Sequence, residues 1–176
     1  TRMGAAKQLL QWQGQTLLER AIEVAKNCTL GPVIVVFGAN REFILRQLPD
    51  ISFNWAENTD WATGMGSSVR TGLSALLEAH PDLQAVLFRW VDKPLIGTAH
   101  IKALYQTWQS QSTPIVCAQY QGNNGVPALF DRQLFPELLA LSGERGAKSL
   151  LYRHSDQLTT IEMPAAALDV DTPEAW

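Results

Sequence analysis

Apolar positions follow two rhythms along this chain, one at helical spacing and one in short unbroken runs. Leu17, Leu18, Ala21, Ile22 and Ala25 share one helical face and predict a helix over about 16–27, ended by Gly31-Pro32. Val33-Ile-Val-Val-Phe37 is an apolar run of strand length closed by Gly38, and a helix over about 41–48, bounded by Pro49, follows it. Ile51 to Trp55 predicts a short strand, and Glu57 to Ser68 a polar loop. Val69, Leu73, Leu76 and Leu77 mark the next helical face, ended at Pro81. Ala85-Val-Leu-Phe-Arg-Trp-Val91 is apolar but for Arg89, which suits a central strand of a parallel sheet covered on both faces.

The alternation continues downstream. Ile101, Leu104, Tyr105 and Trp108 predict a helix, and Pro114 to Ala118 a strand. Val126 to Phe130 is extended, with Pro127 assigning it to an edge or a strand start. Phe135, Leu138, Leu139 and Leu141 predict one short helix, and Ala147, Leu150 and Leu151 another; Leu158 to Met163 predicts an edge strand. Thr1 to Gly14 reads as a loop with a brief strand or turn, closed by Gln13-Gly14. No internal repeat, low-complexity segment or linker interrupts the pattern. Strands alternating with helices imply a three-layer α/β domain with a mostly parallel sheet.

Composition narrows the class. Of the 176 residues 46% are hydrophobic and 18% charged, which excludes a disordered chain. A net charge of -3 argues against an extended nucleic-acid surface but leaves room for a small basic pocket. Cys28 and Cys117 read as buried thiols rather than a disulfide framework. No apolar run approaches a membrane span and no signal peptide is visible, so a cytoplasmic location is expected.

Asp92 ends the central apolar run, at the edge where open α/β sheets bind ligands. A carboxylate there can hold a divalent cation against phosphate oxygens, or it can cap the turn before Pro94 with Lys93 solvated. Arg2-Met-Gly-Ala-Ala-Lys7 sets two cations in a short glycine-containing loop, which is either a phosphate cradle or surface decoration. Gly64-Met-Gly-Ser-Ser68 directly precedes a helical pattern, and its glycines permit close backbone approach. Ser67 or Ser68 acts there as a helix cap or as a partner for an oxygenated ligand. Asp169 and Asp171 share one side of an extended segment; one is available to join Asp92 at a metal, the other to cap a helix starting at Thr172-Pro173. His80, His100 and His154 show no metal spacing and are read as non-catalytic. With no nucleophile elbow, and with Cys117 in a predicted core strand, hydrolysis through a covalent intermediate finds little support.

Six landmarks occur together: Thr1-Arg-Met-Gly-Ala-Ala-Lys7, Trp61-Ala-Thr-Gly-Met-Gly-Ser-Ser68, Val91-Asp-Lys-Pro94, Asn124-Gly-Val-Pro127, Gly143-Glu-Arg-Gly-Ala147 and Leu168-Asp-Val-Asp-Thr-Pro173. In order and spacing they resemble the MobA-like nucleotidyltransferases, closest in pattern to the molybdenum cofactor cytidylyltransferase branch, from Thr1 to Trp176. The resemblance implies a single three-layer Rossmann-like nucleotidyltransferase domain over 1–176. It implies Mg²⁺-dependent transfer of a cytidylyl group from CTP to molybdopterin cofactor with release of pyrophosphate. A same-fold alternative uses GTP, or a sugar or polyol phosphate as acceptor; the non-enzyme alternative is a nucleotide- or cofactor-binding accessory protein. A molybdoenzyme is the implied maturation partner, with no nucleic acid and no membrane.

By resemblance, Arg2, Gly4 and Lys7 hold the triphosphate, and Arg2, Lys7 and Asp92 form the catalytic set. Asp92 and Asp169 bind Mg²⁺, Asp169 being preferred to Asp171. Gly64, Ser67 and Ser68 line the nucleotide or acceptor side, and Gly125, Gly143 and Gly146 help receive the acceptor. Lys93 stands where the family usually has Gln, Val126 where His is frequent, and Glu144 where Asp is common. The resemblance also implies a strand and a Leu-Ala-Ala-Gly-like loop directly before Thr1, so residues 1–176 are expected to lack the first strand and the start of the phosphate-binding loop.

Overall fold

The computed structural model describes residues 6–48 and 51–170. After a single 3-10 turn at Lys7–Leu9, strands β1 (Gln11–Trp12) and β2 (Gln15–Thr16) form a small antiparallel hairpin. Its turn residues Gln13 and Gly14 both have positive φ, 50° and 89°, as a two-residue hairpin turn requires. Helix α1 (Leu17–Asn27) starts at once because Thr16 and Glu19 cap it reciprocally. The Glu19 carboxylate accepts the Thr16 N–H at 2.7 Å, and Thr16 Oγ1 accepts the Glu19 N–H at 3.1 Å.

The remaining elements are β3 (Ile34–Phe37), α2 (Arg41–Gln47), β4 (Asn54–Glu57), α3 (Met65–Ala79), β5 (Ala85–Phe88), α4 (Thr98–Gln111), β6 (Ile115–Tyr120), β7 (Asn123–Asp131), α5 (Phe135–Leu139), α6 (Lys148–Arg153) and β8 (Leu158–Glu162). β3 and β4 pair in parallel, and a four-stranded sheet runs in the order β5-β7-β6-β8. β7 is antiparallel to both β5 and β6, while β8 is parallel to β6, so β5, β6 and β8 share one direction and β7 alone opposes them.

β7 corrects the expectation of an edge strand at Val126 to Phe130: it lies between β5 and β6. Pro127 is accommodated because the register against β6 jumps from Cys117↔Ala128 to Ala118↔Gly125, which leaves Val126 and Pro127 in the irregularity. The same proline shortens the predicted central strand. The β5 ladder ends at Phe88↔Ala128, and the next partner would be Pro127, which has no N–H. Arg89 to Val91 therefore leave the ladder and lead into the turn that carries Asp92. The strand expected at Ile51 to Trp55 begins instead at Asn54, because Ile51 and Phe53 pack as loop residues onto the cluster of Phe37 and Ile44.

Both faces of the larger sheet are covered. Along β6, Ile115 and Cys117 join Leu73, Phe130, Leu138 and Leu150 on the side of α3, α5 and α6. Val116 and Ala118 join Val24, Ile101, Leu104 and Met163 on the side of α1 and α4. This alternation is what a strand buried on both faces produces. Cys28 and Cys117 are free and buried, and burial pushes the Cys117 thiol up to about 11. No helix among the described residues is long and apolar enough to cross a membrane.

Between the two sheets lies a cavity of about 2060 Å³. Ile34, Val35 and Val36 of β3 and all of β5 line it in unbroken succession. Successive side chains of a strand point to opposite faces, so a wall made of every residue is a strand edge. The cavity therefore runs along the edges of β3 and β5.

α5 and α6 are joined by charge. Glu137 lies 3.0 Å from His154 Nε2 and 2.8 Å from Arg153 Nη1, and these donors hold its carboxyl below the usual range, His154 contributing most. A depressed carboxyl contributes stability above its unfolded value, about 4.3, and loses it as pH falls through the lower folded value. Glu137→Gln should therefore destabilise the fold near neutral pH, and the difference from wild type should vanish in acid. Urea unfolding across that pH range checks this, and a difference that persists unchanged in acid would contradict it.

Candidate active site

The turn after β5 carries two charged neighbours, Asp92 and Lys93, each in an ion pair with a residue far away in the chain. Asp92 Oδ2 accepts from Lys7 Nζ at 2.9 Å, with both side chains 23% exposed. Its other oxygen, Oδ1, is buried without a hydrogen-bond partner among the described residues. A buried carboxylate oxygen left unsatisfied is costly, so this atom fits a cation or a ligand donor. The turn is held firmly. Arg20 Nε of α1 donates to the Pro94 carbonyl at 2.5 Å, and the Val170 N–H donates to the Asp92 carbonyl at 3.0 Å.

Lys93 is not solvated: it is 3% exposed. Its ammonium donates to the Ala166 carbonyl at 2.6 Å and to Asp169 Oδ1 at 2.7 Å, and lies 4.7 Å from the centre of the Tyr120 ring. Asp169 therefore shares one oxygen with a buried ammonium, while its side chain remains 43% exposed. The Tyr120 hydroxyl reaches across Gly125, where an added Cβ would meet it at 2.5 Å. One chain of contacts therefore links Gly125, Tyr120, Lys93 and Asp169.

The second glycine cluster is a packing joint. Gly64, with φ 113°, precedes α3, and a Cβ there would strike the backbone of Gly143 and Glu144. The Gly66 N–H donates to the Gly143 carbonyl at 3.2 Å, and a Cβ on Gly146 would come within 2.6 Å of Met65 Cγ. Gly66, Ser67 and Ser68 belong to the first turn of α3 rather than preceding it, and Ser67 makes no N-cap. The buried Ser67 hydroxyl donates to the Gly64 carbonyl at 2.7 Å and accepts from Asn58 Nδ2 at 2.8 Å. Ser68 takes the same Asn58 amide at 3.0 Å. Buried Asn58 also accepts the Asp60 N–H at 3.0 Å, so it organises the whole loop.

Lys7, Asp92, Ser68, Met65 and Trp61 line the cavity together. Gly64, Ser67, Gly125, Gly143, Gly146 and Asp169 are not among the residues that line it. Arg2, Gly4, Asp171 and the Thr172-Pro173 step lie outside the described residues. Tyr120, Arg20 and Asn58 carry no motif signal in sequence, since each acts through a contact formed by folding. His100 accepts the Gly97 N–H at 3.0 Å, and no group of three potential metal ligands occurs among the described residues.

A family model for the MobA-like NTP transferase domain matches residues 1–158. The chain is 28% identical over 181 residues to a nicotine blue oxidoreductase from Paenarthrobacter nicotinovorans, covering 96% of this chain and 84% of that protein. It is 22% identical over 174 residues to the molybdenum cofactor cytidylyltransferase of Escherichia coli K12, covering 99% and 86% respectively. Among solved structures, Rv0371c of Mycobacterium tuberculosis H37Rv in complex with manganese matches with a TM-score of 0.79 at 22% identity, covering 96% of this chain and 88% of that one.

The packing joint is testable by two glycine substitutions. Gly64→Ala combines positive φ with a backbone clash and should lower unfolding free energy by about 2–4 kcal/mol. Gly143→Ala, at φ 67° with open space around the added Cβ, should lower it by only about 1 kcal/mol. Equal effects in urea unfolding would contradict the tight backbone approach at Gly64.

Proposed function

Because the chain belongs to the MobA-like NTP transferase family, we propose that this nucleotidyltransferase moves a cytidylyl group from CTP to molybdopterin cofactor, releasing pyrophosphate in a Mg²⁺-dependent reaction. The observation that carries the site assignment is the Asp92 carboxylate: one oxygen on the Lys7 ammonium, the other buried and unpartnered. Kinship with the Escherichia coli cytidylyltransferase supports the choice of CTP and acceptor. The manganese complex of Rv0371c supports a divalent cation. A relative named as an oxidoreductase shows that one member's name does not extend to all, so the proposal rests first on the site.

Both reactants are anionic, and the residues at the turn address that repulsion. Lys7 offers positive charge at the triphosphate, and Arg2 and Gly4 belong to the same proposed loop. Asp92 holds the cation, which when bound offsets phosphate charge and polarises the α-phosphate. Ser68 is the proposed polar contact in the cleft wall, while Gly64, Gly143 and Gly146 keep that wall in shape and Gly125 leaves space for Tyr120. An acceptor phosphate is already ionised near neutral pH, so none of the histidines is needed as a base.

Pyrophosphate release from the full-length protein with Mg²⁺ and molybdopterin cofactor, comparing CTP with GTP, ATP and UTP, tests this reading. CTP should be the best donor, and Asp92→Asn should lower the rate on the order of 100-fold with the fold retained by circular dichroism. Preference for another nucleotide would overturn the cytidylyl assignment. An unaltered rate in Asp92→Asn would overturn the role of Asp92, and silence with every nucleotide would favour a binding-only protein.

A further inference from the structure

We propose that Trp61 is the platform on which the base of the nucleotide stacks, holding the base while Lys7 takes the phosphates. This deepens the proposed reaction and rests on the reading of the cavity as its nucleotide site. Trp61 opens the 3-10 turn Trp61–Thr63 ahead of α3, is 51% exposed, and lines the cavity with Lys7, Asp92 and Met65. Two other tryptophans are engaged within the protein. Trp55 packs edge-on against Phe37 under the Arg41 guanidinium, and Trp108 donates its N–H to Asp131 at 3.0 Å. The Trp61 ring meets no other aromatic ring and no cation among the described residues.

The fold builds a seat for this side chain. A Cβ on Gly38 would meet Trp61 Cβ at 2.8 Å and Cγ at 3.2 Å, so a residue without a side chain lets the indole root against the end of β3. Gly38 lacks the positive φ that would otherwise call for glycine, which leaves the tryptophan as its reason. The turn is fixed as well. The Asn58 N–H donates to the Phe37 carbonyl at 2.7 Å, the Asn58 side chain accepts the Asp60 N–H at 3.0 Å, and Thr63 Oγ1 donates to the Asp60 carbonyl at 2.7 Å. A ring held this way loses little further freedom when a ligand stacks on it. Phe37 also says which part of the ligand arrives. Ala6 and Leu9, on either side of Lys7, pack on the cluster of Phe37 and Ile44, so the Lys7 turn and the Trp61 turn are both anchored around Phe37. Gly125, proposed for the acceptor, does not line the cavity. The ring that reaches Trp61 is therefore the base of the triphosphate bound at Lys7. Every base offers a flat π-face, and Met65, 42% exposed on the same wall, adds an adaptable thioether beside it.

The test is calorimetric titration of the full-length protein in excess Mg²⁺, once with CTP and once with inorganic tripolyphosphate, which carries the charge without a base. Trp61→Ala should bind CTP about tenfold more weakly and tripolyphosphate as wild type does, with the fold retained by circular dichroism. Trp61→Phe should keep most of the CTP affinity, and Gly38→Ala, which pushes the indole off its seat, should lose part of it. Unchanged CTP affinity in Trp61→Ala, an equal loss for tripolyphosphate, or a loss in Trp61→Phe as large as in Trp61→Ala would overturn the proposal. If Trp61→Ala does not fold, Trp61→Leu, which keeps apolar bulk without a ring, must show the same selective loss. Wild type that binds neither titrant would contradict the nucleotide site itself and this proposal with it. CTP binding that does not depend on Trp61 would overturn the stacking alone and leave nucleotidyl transfer intact.

Discussion

Two ion pairs anchored on adjacent residues hold the candidate site together. Asp92 reaches back 85 residues to Lys7, and Lys93 reaches forward 76 residues to Asp169. A single turn thus gathers both ends of the described chain, and the backbone bond from Val170 to Asp92 repeats the connection. The turn occurs where it does because Pro127 denies the β5 ladder its next hydrogen bond. The chemistry of the site begins where the sheet stops.

The two lysines differ in exposure, Lys7 being 23% and Lys93 3% exposed, whereas Asp169 at 43% is more open than Asp92 at 23%. Lys7 and Asp92 retain partial access to solvent and to the cavity, which leaves them open to the ligands of the proposed reaction. Lys93 is sealed under Tyr120 and the Ala166 carbonyl, where its charge acts on protein groups. Across the cleft, Asn58 and Ser67 fasten the loop ahead of α3, and Gly64 and Gly66 let its backbone touch residues 143 to 145. That wall is shaped by glycine because backbone meets backbone there.

Much of the fold was legible as pattern. The helical face from Leu17 to Ala25 and the apolar run ending at Phe37 both have strong periodicity and clear stop signals, and both elements occur within a residue or two of their predicted bounds. Pro127 misled because an interior strand can accept proline where its register slips, and no local signal announces the slip. Asp92 was legible as a candidate from its position after an apolar run. The state of Asp169 was not, since Lys93 reads in sequence as a solvated charge and only tertiary packing buries it. Ser67 looked like a cap or a ligand, but its position in the first turn of α3 commits its hydroxyl to neighbouring backbone.

The proposed reaction requires Asp92 Oδ1 to face the cation and Lys7 to face the triphosphate. A crystal structure of the full-length protein with CTP and Mn²⁺, using anomalous scattering to locate the metal, tests that most directly. A manganese peak in coordination with Asp92 Oδ1 and nucleotide phosphate is expected, with Lys7 Nζ against a phosphate oxygen. A metal peak away from Asp92, with Oδ1 bonded to a protein donor instead, would contradict it.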